Sequence, residues 1–153
     1  MPIICYDVYG NAVSVGRSDI AFEPAVYGIF IENERVLLAR HPVTGLWHPP
    51  GEILTGSLRP EQAIRRYFQR QLRILPELDG LLWLEERYVM DEQGQARGLS
   101  VLYYGLKRPF DTKSVAVKTG ALLQWVSLAE VDRTHMQFGY DALQAGKLHQ
   151  QLS

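Results

Sequence analysis

Cysteine is almost missing from this chain, since Cys5 is the single cysteine among 153 residues. One cysteine excludes both a disulfide framework and a metal site built from several cysteines. The opening residues, MPIICYDVYG, also lack the basic stretch and long apolar segment that are typical of a secretory signal. We therefore expect a cytoplasmic protein.

Long apolar runs and an excess of one charge are missing too. No segment approaches the roughly 18 consecutive apolar residues of a membrane span, so no membrane partner is expected. The 16 basic and 17 acidic residues leave a net charge of −1. The chain as a whole therefore does not attract nucleic acid, and any anion binding must be local.

The residues that are present suit a globular protein. With 46% hydrophobic and 22% charged residues, the chain is expected to form one domain over residues 1–153. A chain of this length buries roughly 70% of the surface of its unfolded state, which is enough for a full core.

Apolar periodicity predicts a mixed α/β arrangement. Strands are expected at residues 3–8, 12–15, 25–31, 35–40, 80–90, 99–106 and 121–126. Pro60 suits the first position of a helix, and apolar residues recur at helical spacing until Leu72, before Pro76. The sequence Ser-Leu-Ala-Glu from Ser127 has the capping-box form and predicts a short helix, and a terminal helix is expected over 140–152.

The order of these elements, the motif Trp47-x-x-Pro50-Gly51 and the late segment LLQWVSLAEV resemble the Nudix hydrolase superfamily. The resemblance covers nearly the whole chain. It implies an α/β/α sandwich with a mixed central sheet and a Nudix-type helix near residues 60–73. It also implies that Ile64, Phe68 and Leu72 pack this helix on the sheet, with the segment 47–51 next to the start of the helix.

The signature of that superfamily is G, five residues, E, seven residues, then R-E-U-x-E-E-x-G-U, where U is a bulky aliphatic residue. Without a gap, its arginine falls on Arg66, and every glutamate position holds another residue type. The glycine falls on Glu52 and the four glutamates on Leu58, Tyr67, Arg70 and Gln71. A register one residue earlier puts Ser57, Arg66, Gln69 and Arg70 at the glutamate positions. The loss does not depend on the register.

In the superfamily these carboxylates hold Mg²⁺ or Mn²⁺, and such hard ions require oxygen ligands. Their absence predicts no metal site, no metal cofactor and little or no hydrolysis, because the metal supplies charge stabilisation at the diphosphate. Glu52 and Glu86 are the fallback catalytic residues for an active enzyme, which would use Mg²⁺ or Mn²⁺. Glu85 and Glu86 point to opposite faces of a strand, so only one of them can enter a site.

The predicted helix region is basic instead of acidic. Its single carboxylate, Glu61, is accompanied by the arginines at positions 59, 65, 66, 70 and 73. Guanidinium groups bind phosphate directly, so the region suits an anion clamp. A solvated basic face and a contact with protein or nucleic acid are the alternatives. The ligand-binding residues that we predict are Arg66, Arg70, Tyr67, Glu52, Trp47, His48 and Arg40.

Three functions are consistent with these features. The first is a domain with a degenerate Nudix signature that binds a nucleotide or another diphosphate-containing metabolite. The second is a divergent hydrolase that cleaves a nucleoside diphosphate linked to another moiety, and the third is a regulatory or protein-interaction module. A small-molecule partner is expected, nucleic acid is disfavoured, and a homodimer is compatible with the sequence.

Overall fold

Nine strands and two α-helices occur in the part of the chain that the computed structural model describes, residues 2–113 and 115–152. The strands are β1 (Pro2–Tyr6), β2 (Ala12–Gly16), β3 (Ile20–Glu32), β4 (Arg35–Arg40), β5 (Trp47–His48), β6 (Gly51–Ile53), β7 (Glu77–Met90), β8 (Ala96–Lys107) and β9 (Leu123–Ser127). The helices are α1 (Pro60–Leu72) and α2 (Tyr140–Leu152). Neither helix is long and apolar enough to cross a membrane.

Strand β3 is the centre of the sheet. It pairs in parallel with β8 from Ile20↔Ala96 to Phe30↔Leu106. On its other side it pairs antiparallel first with β6 and then with β4. Strand β7 joins the outer edge of β8, β1 and β2 follow β7, and β5 and β9 pair with β4. The predicted mixed sheet is confirmed.

One helix covers each face of this sheet. The α1 face is built from Val26, Phe30 and Tyr104 of the sheet and from Ile64 and Phe68 of the helix. The α2 face contains a second cluster that includes Tyr27, Ile29, Val101, Tyr103, Ala142 and Leu143. Because successive strand residues point to opposite faces, β3 and β8 contribute to both clusters. The arrangement is the expected α/β/α sandwich.

Helix α1 forms where the sequence predicts it. Pro60 is its first residue, and the Gln62 side-chain oxygen accepts a hydrogen bond from the backbone N–H of the capping residue Arg59 over 3.4 Å. The buried residues Ile64, Phe68 and Leu72 face the sheet, as expected. The helix ends before Arg73, which adopts the left-handed conformation at φ 60°.

Gly28 allows α1 to approach the sheet closely. A Cβ atom on Gly28 would lie 2.9 Å from Phe68 Cε1 and 2.4 Å from Leu106 Cδ1, and both distances are too short for real contacts. The Phe68 ring occupies this space and stacks on Phe30 with ring centroids 5.9 Å apart. A side chain at position 28 would therefore push the helix away from β3.

Several predicted boundaries are wrong. Strand β3 starts at Ile20 instead of residue 25, β7 at Glu77 instead of residue 80, and β8 at Ala96 instead of residue 99. The additional residues of these strands are held mainly by the pairing of β8 with β3 and with β7. Local periodicity in the sequence does not reveal this pairing.

The short helix predicted from Ser127 is also wrong. Ser127 ends β9, and the Leu128 N–H donates to the Glu34 carbonyl oxygen over 3.0 Å, which turns the chain instead. The capping interaction lies further on, where Asp132 accepts from the backbone N–H of Thr134 at the 3₁₀ turn Arg133–His135.

Replacing Phe68 with alanine should destabilise the protein by about 3–5 kcal/mol, because the large ring is fully buried and leaves a cavity. Urea unfolding followed by circular dichroism measures this loss. Gln69→Ala is the matched control, since Gln69 is exposed on the same helix and should change stability by less than about 0.5 kcal/mol. Equal effects of the two substitutions would contradict the packing of α1.

Candidate functional site

Glu52, the polar residue of β6, lies against the second half of α1. Glu52 of β6 pairs with Val26, which directs its side chain to the α1 face. Arg70 Nη2 donates to Glu52 Oε1 over 3.3 Å. Tyr67 is half-buried beside them, and burial followed by the charge of Glu52 raises the pKa of its hydroxyl. Glu52, Tyr67 and Arg70 are therefore brought together.

Three arginines of the helix region do not take part in this group. Arg65 Nε donates to the carbonyl oxygen of Pro76 over 2.8 Å, so Arg65 fixes the chain beyond the helix. Arg59 precedes the helix, and Arg73 follows it. The basic side of the helix is thus smaller than the sequence suggests.

Arg66 remains next to Arg70, because residues four positions apart are neighbours on a helix surface. It is exposed, and its side chain makes no hydrogen bond or ion pair with any other residue that the structure describes. Arg70 is 59% exposed in its side chain and has one ionic partner, Glu52, which is 38% exposed. Both guanidinium groups are accessible to an anion from solvent.

Glu61, the only carboxylate of α1, has a structural role. It accepts a hydrogen bond from the Tyr104 hydroxyl over 2.9 Å. Its own backbone N–H at the helix start and then this hydroxyl lower the pKa of Glu61. Burial and the contact with Glu61 raise the pKa of Tyr104 to about 12. Glu61 therefore ties the first turn of α1 to β8.

The other predicted ligand residues lie on the α2 face. Trp47 packs against the α2-face cluster, and the Arg40 guanidinium carbon lies 4.1 Å from the centroid of its ring. His48 stacks on Phe138 with ring centroids 4.8 Å apart. Burial lowers the pKa of His48, which keeps its ring neutral at physiological pH. Arg40, Trp47 and His48 thus belong to the α2 face, whereas Arg70 belongs to α1 on the other face of the sheet.

Sequence reasoning missed Phe138 and Arg87, which lie next to His48. The guanidinium carbon of Arg87 lies 4.0 Å from the centroid of the Phe138 ring. His48 stacks on the same ring. Arg87 follows Glu85 by two positions on β7, and this shared strand face was the one available signal. Phe138 gives no signal in the sequence.

Tyr27 lies between the two groups of polar residues. Burial is the main cause that raises the pKa of Tyr27, and the charges that act on it include Arg87, Glu52 and Glu85. Glu85 accepts a hydrogen bond from Tyr103 over 2.5 Å on the α2 face. Electrostatic interactions therefore connect the α1 side and the α2 side through the middle of β3.

The fallback carboxylates Glu52 and Glu86 are not brought together. Both belong to the α1 face, but Glu52 is on β6 and Glu86 is on β7. Strands β8 and β3 lie between them, so three strand spacings of about 4.8 Å place their backbones about 14 Å apart across the sheet. Within residues 2–113 and 115–152, no group of three or more His, Cys, Asp and Glu side chains could hold a metal ion.

The chemistry available beside α1 is that of anion binding. The raised pKa of Tyr67 makes its hydroxyl a hydrogen-bond donor and not a base. A guanidinium has five N–H donors, and Arg70 uses one of them toward Glu52, so most of its donors remain available. Arg66 adds a second cation on the same side of the helix.

The fold is that of the Nudix hydrolases, as the sequence resemblance implies. NrtR of Shewanella oneidensis is similar with a TM-score of 0.64 and 18% identity, over 84% of this chain and 63% of that one. A MutT Nudix hydrolase from Burkholderia pseudomallei has a TM-score of 0.56 and 19% identity, over 81% and 97%. A UDP-X diphosphatase has a TM-score of 0.62 and 15% identity, over 84% and 63%. No protein-family profile matches the sequence, and no curated protein is similar to it in sequence.

Replacing Tyr104 with phenylalanine should raise the pKa of Glu61 toward its ordinary value, because the second-largest cause of the lowering is removed. A carboxyl with a lowered pKa stabilises the fold above its unfolded pKa and loses this contribution as pH falls through the folded pKa. Tyr104→Phe should therefore lose more stability at neutral pH than at strongly acidic pH.

An NMR titration of the Glu61 carboxyl carbon measures the pKa directly. The carboxyl of Asp91, whose pKa is lowered mainly by Arg97, is the internal control and should not change. An unchanged pKa of Glu61 would show that Tyr104 does not hold this carboxylate.

Proposed function

We propose that this protein binds a nucleotide or another diphosphate-containing small molecule, with little or no metal-dependent hydrolysis. The single observation that carries the proposal is the replacement of metal-binding carboxylates by Tyr67 and Arg70 beside Glu52. The phosphates would lie between Arg66 and Arg70, where cations stand in for a metal ion.

The energetics favour direct binding of phosphate by these arginines. A charge-assisted hydrogen bond contributes about 1.5–3 kcal/mol. The competing ion pair between Arg70 and Glu52 is exposed on both sides, so it is worth at most about 1 kcal/mol. A diphosphate carries more charge than Glu52 and displaces it from Arg70.

The neighbours in fold support the same class of ligand. One of them is a UDP-X diphosphatase, which by its name acts on a nucleoside diphosphate derivative. We extend to this chain only the diphosphate-containing ligand and not the hydrolysis, because Glu52, the carboxylate beside Tyr67, is paired with Arg70 and belongs to no group of three His, Cys, Asp or Glu side chains that could hold a metal ion among the described residues. The divergent-hydrolase alternative also requires Glu52 and Glu86 to act together across two intervening strands.

A thermal-shift screen of nucleotides, sugar nucleotides and dinucleotides, with and without Mg²⁺, tests the proposal. A ligand at 100 times its dissociation constant adds about 2.7 kcal/mol to the stability of the folded state. Stabilisation that does not depend on metal supports the proposal. Metal-dependent turnover supports the hydrolase, and the absence of both leaves the regulatory or protein-interaction module.

Arg70→Ala should weaken the best diphosphate ligand by on the order of 1.5–3 kcal/mol, the scale of a charge-assisted hydrogen bond. The fold should lose less than about 1 kcal/mol, because Arg70 is exposed. Calorimetric titration measures the affinity. Arg73→Asn is the matched control, since it removes one positive charge from the same region and asparagine tolerates the left-handed conformation. Unchanged affinity in Arg70→Ala would leave the arginines as a solvated face.

Millimolar Mg²⁺ should not bind beside Tyr67 and Arg70 in the natural protein, because the helix offers no carboxylate there. The triple variant Tyr67→Glu, Arg70→Glu and Gln71→Glu places three carboxylates at positions that are neighbours on the helix, and it should gain affinity for divalent metal. The affinity of the natural protein and of the triple variant for Mn²⁺ is measured by the relaxation enhancement of water protons. An ordered ion bound to Glu52 or Glu86 in the natural protein would contradict this prediction.

A further inference from the structure

Glu52 presents its carboxylate from a fixed strand. In the ungapped match to the superfamily signature a glycine occupies this position, so the carboxylate is an addition of this chain. Two residues before Glu52, the Pro50 carbonyl oxygen accepts from the Gly28 N–H over 2.9 Å. Two residues after it, the Leu54 N–H donates to the Pro24 carbonyl oxygen over 2.8 Å. The backbone on both sides of Glu52 is therefore held on β3, while its side chain is 38% exposed.

Arg70 is the one ionic partner of Glu52 among the described residues, and 3.3 Å separate Arg70 Nη2 from Glu52 Oε1. The proposed function requires Arg70 to turn from Glu52 to a phosphate. Tyr67 lies beside both groups, and its hydroxyl stays protonated because burial and then the charge of Glu52 raise its pKa. A neutral hydroxyl does not replace the charge of Arg70. Glu52 is therefore left as an unpaired anion when a phosphate binds Arg70.

The charges of the site make this unpaired anion unfavourable. Arg66, Arg70 and Glu52 together carry one positive charge in excess. A diphosphate carries roughly two or more negative charges, so its binding makes the excess negative and places like charges next to each other. Because Glu52 is partly exposed, water and salt weaken this repulsion without removing it. A positive group on the ligand restores the balance.

An ammonium group suits the place that the guanidinium group of Arg70 leaves. It is a compact cation with three N–H donors and no acceptor. The acceptors nearby are the Glu52 carboxylate, which now accepts from Arg70, and the hydroxyl oxygen of Tyr67, which accepts as well as donates. A hydroxyl group on the ligand would satisfy one acceptor but would leave the charge of Glu52 unbalanced. An ammonium group supplies both the hydrogen bonds and the charge.

We propose that the ligand carries an amino group close to its diphosphate and that Glu52 binds this group as an ammonium ion. Binding then exchanges one ion pair for two, because Arg70 turns to the phosphates and Glu52 turns to the ammonium group. Neither Arg70 nor Glu52 is left without a partner. The inference rests on the proposed function, since the phosphates must bind Arg70 before Glu52 becomes free.

Three diphosphate esters of similar length test this inference: 2-aminoethyl diphosphate, 2-hydroxyethyl diphosphate and ethyl diphosphate. Their affinities, and that of inorganic pyrophosphate, are measured by calorimetric titration at low ionic strength, where exposed charges are least screened. The amino ester should bind roughly three- to fivefold more tightly than the ethyl ester, which is the upper range for an exposed ion pair. This preference should shrink as salt is added. The hydroxyl ester should bind less tightly than the amino ester.

Glu52→Gln keeps the size of the side chain and removes its charge, so it should abolish the preference for the amino ester. It should also strengthen binding of the ethyl ester, because Arg70 no longer has to leave a carboxylate. Glu92→Gln is the matched control, since Glu92 is exposed in the turn between β7 and β8 and its replacement changes the net charge equally. This variant should keep the preference. Thermal unfolding of each variant shows whether the fold is intact.

The outcomes separate this inference from the proposed function. If pyrophosphate and all three esters bind but the amino ester has no advantage, or if Glu52→Gln keeps the advantage, the inference is overturned and diphosphate binding stands. Equal affinities of the amino and hydroxyl esters would also overturn it, because Glu52 would then require a hydrogen-bond donor and not a cation. If only the amino ester binds, the inference stands and the binding of diphosphates in general fails. If none of the four compounds binds, the proposed function fails and the inference fails with it.

Discussion

The parallel pairing of β3 with β8 is the constraint on which the rest of this structure depends. It extends without interruption from Ile20↔Ala96 to Phe30↔Leu106, across the middle of the sheet. Because side chains alternate along both strands, this one pairing builds the floor under α1 and the floor under α2. A shift of β8 by one residue against β3 would turn the side chains of β8 to the opposite face and place Tyr103 under α1. The positions of Glu52 and Arg87 relative to the helices follow from the same register.

The fold therefore places two kinds of polar residue on two sides of one sheet. The α1 side has two cations, Arg66 and Arg70, and in the ungapped match Arg70 stands at a position that carries a carboxylate in the resembling superfamily. The α2 side has an arginine, Arg87, whose guanidinium lies over the Phe138 ring and has no hydrogen-bond or ion-pair partner among the described residues. Tyr27 is buried between the two sides, and charges from both sides, including Glu52 and Arg87, act on the pKa of its hydroxyl.

Much of the fold could be predicted from the sequence, because the amphipathic spacing of α1 and the proline at its start are local signals. The first five residues of β3 could not, since Glu23 and Pro24 are poor strand residues. Arg97, which contacts Glu23, and the pairing with β8 hold them in place. In the site, sequence spacing brought Glu52, Tyr67 and Arg70 into one group. Arg87 and Phe138 meet only through tertiary structure, because 50 positions separate them in the chain.

The ion pair between Arg70 and Glu52 explains how the site tolerates the change of charge. If α1 carried carboxylates at positions 67 and 70, the negative charge of Glu52 would repel them. A metal ion would then be needed to offset this repulsion. With Arg70 in place, Glu52 has a partner and no ion is required for charge balance. Both side chains of the pair are exposed to solvent, so the pair contributes at most about 1 kcal/mol to stability. This interaction is too weak to fix Arg70 in one position. An arginine at position 70 therefore removes the need for a metal ion. The same arginine can exchange Glu52 for an incoming anion as its ionic partner.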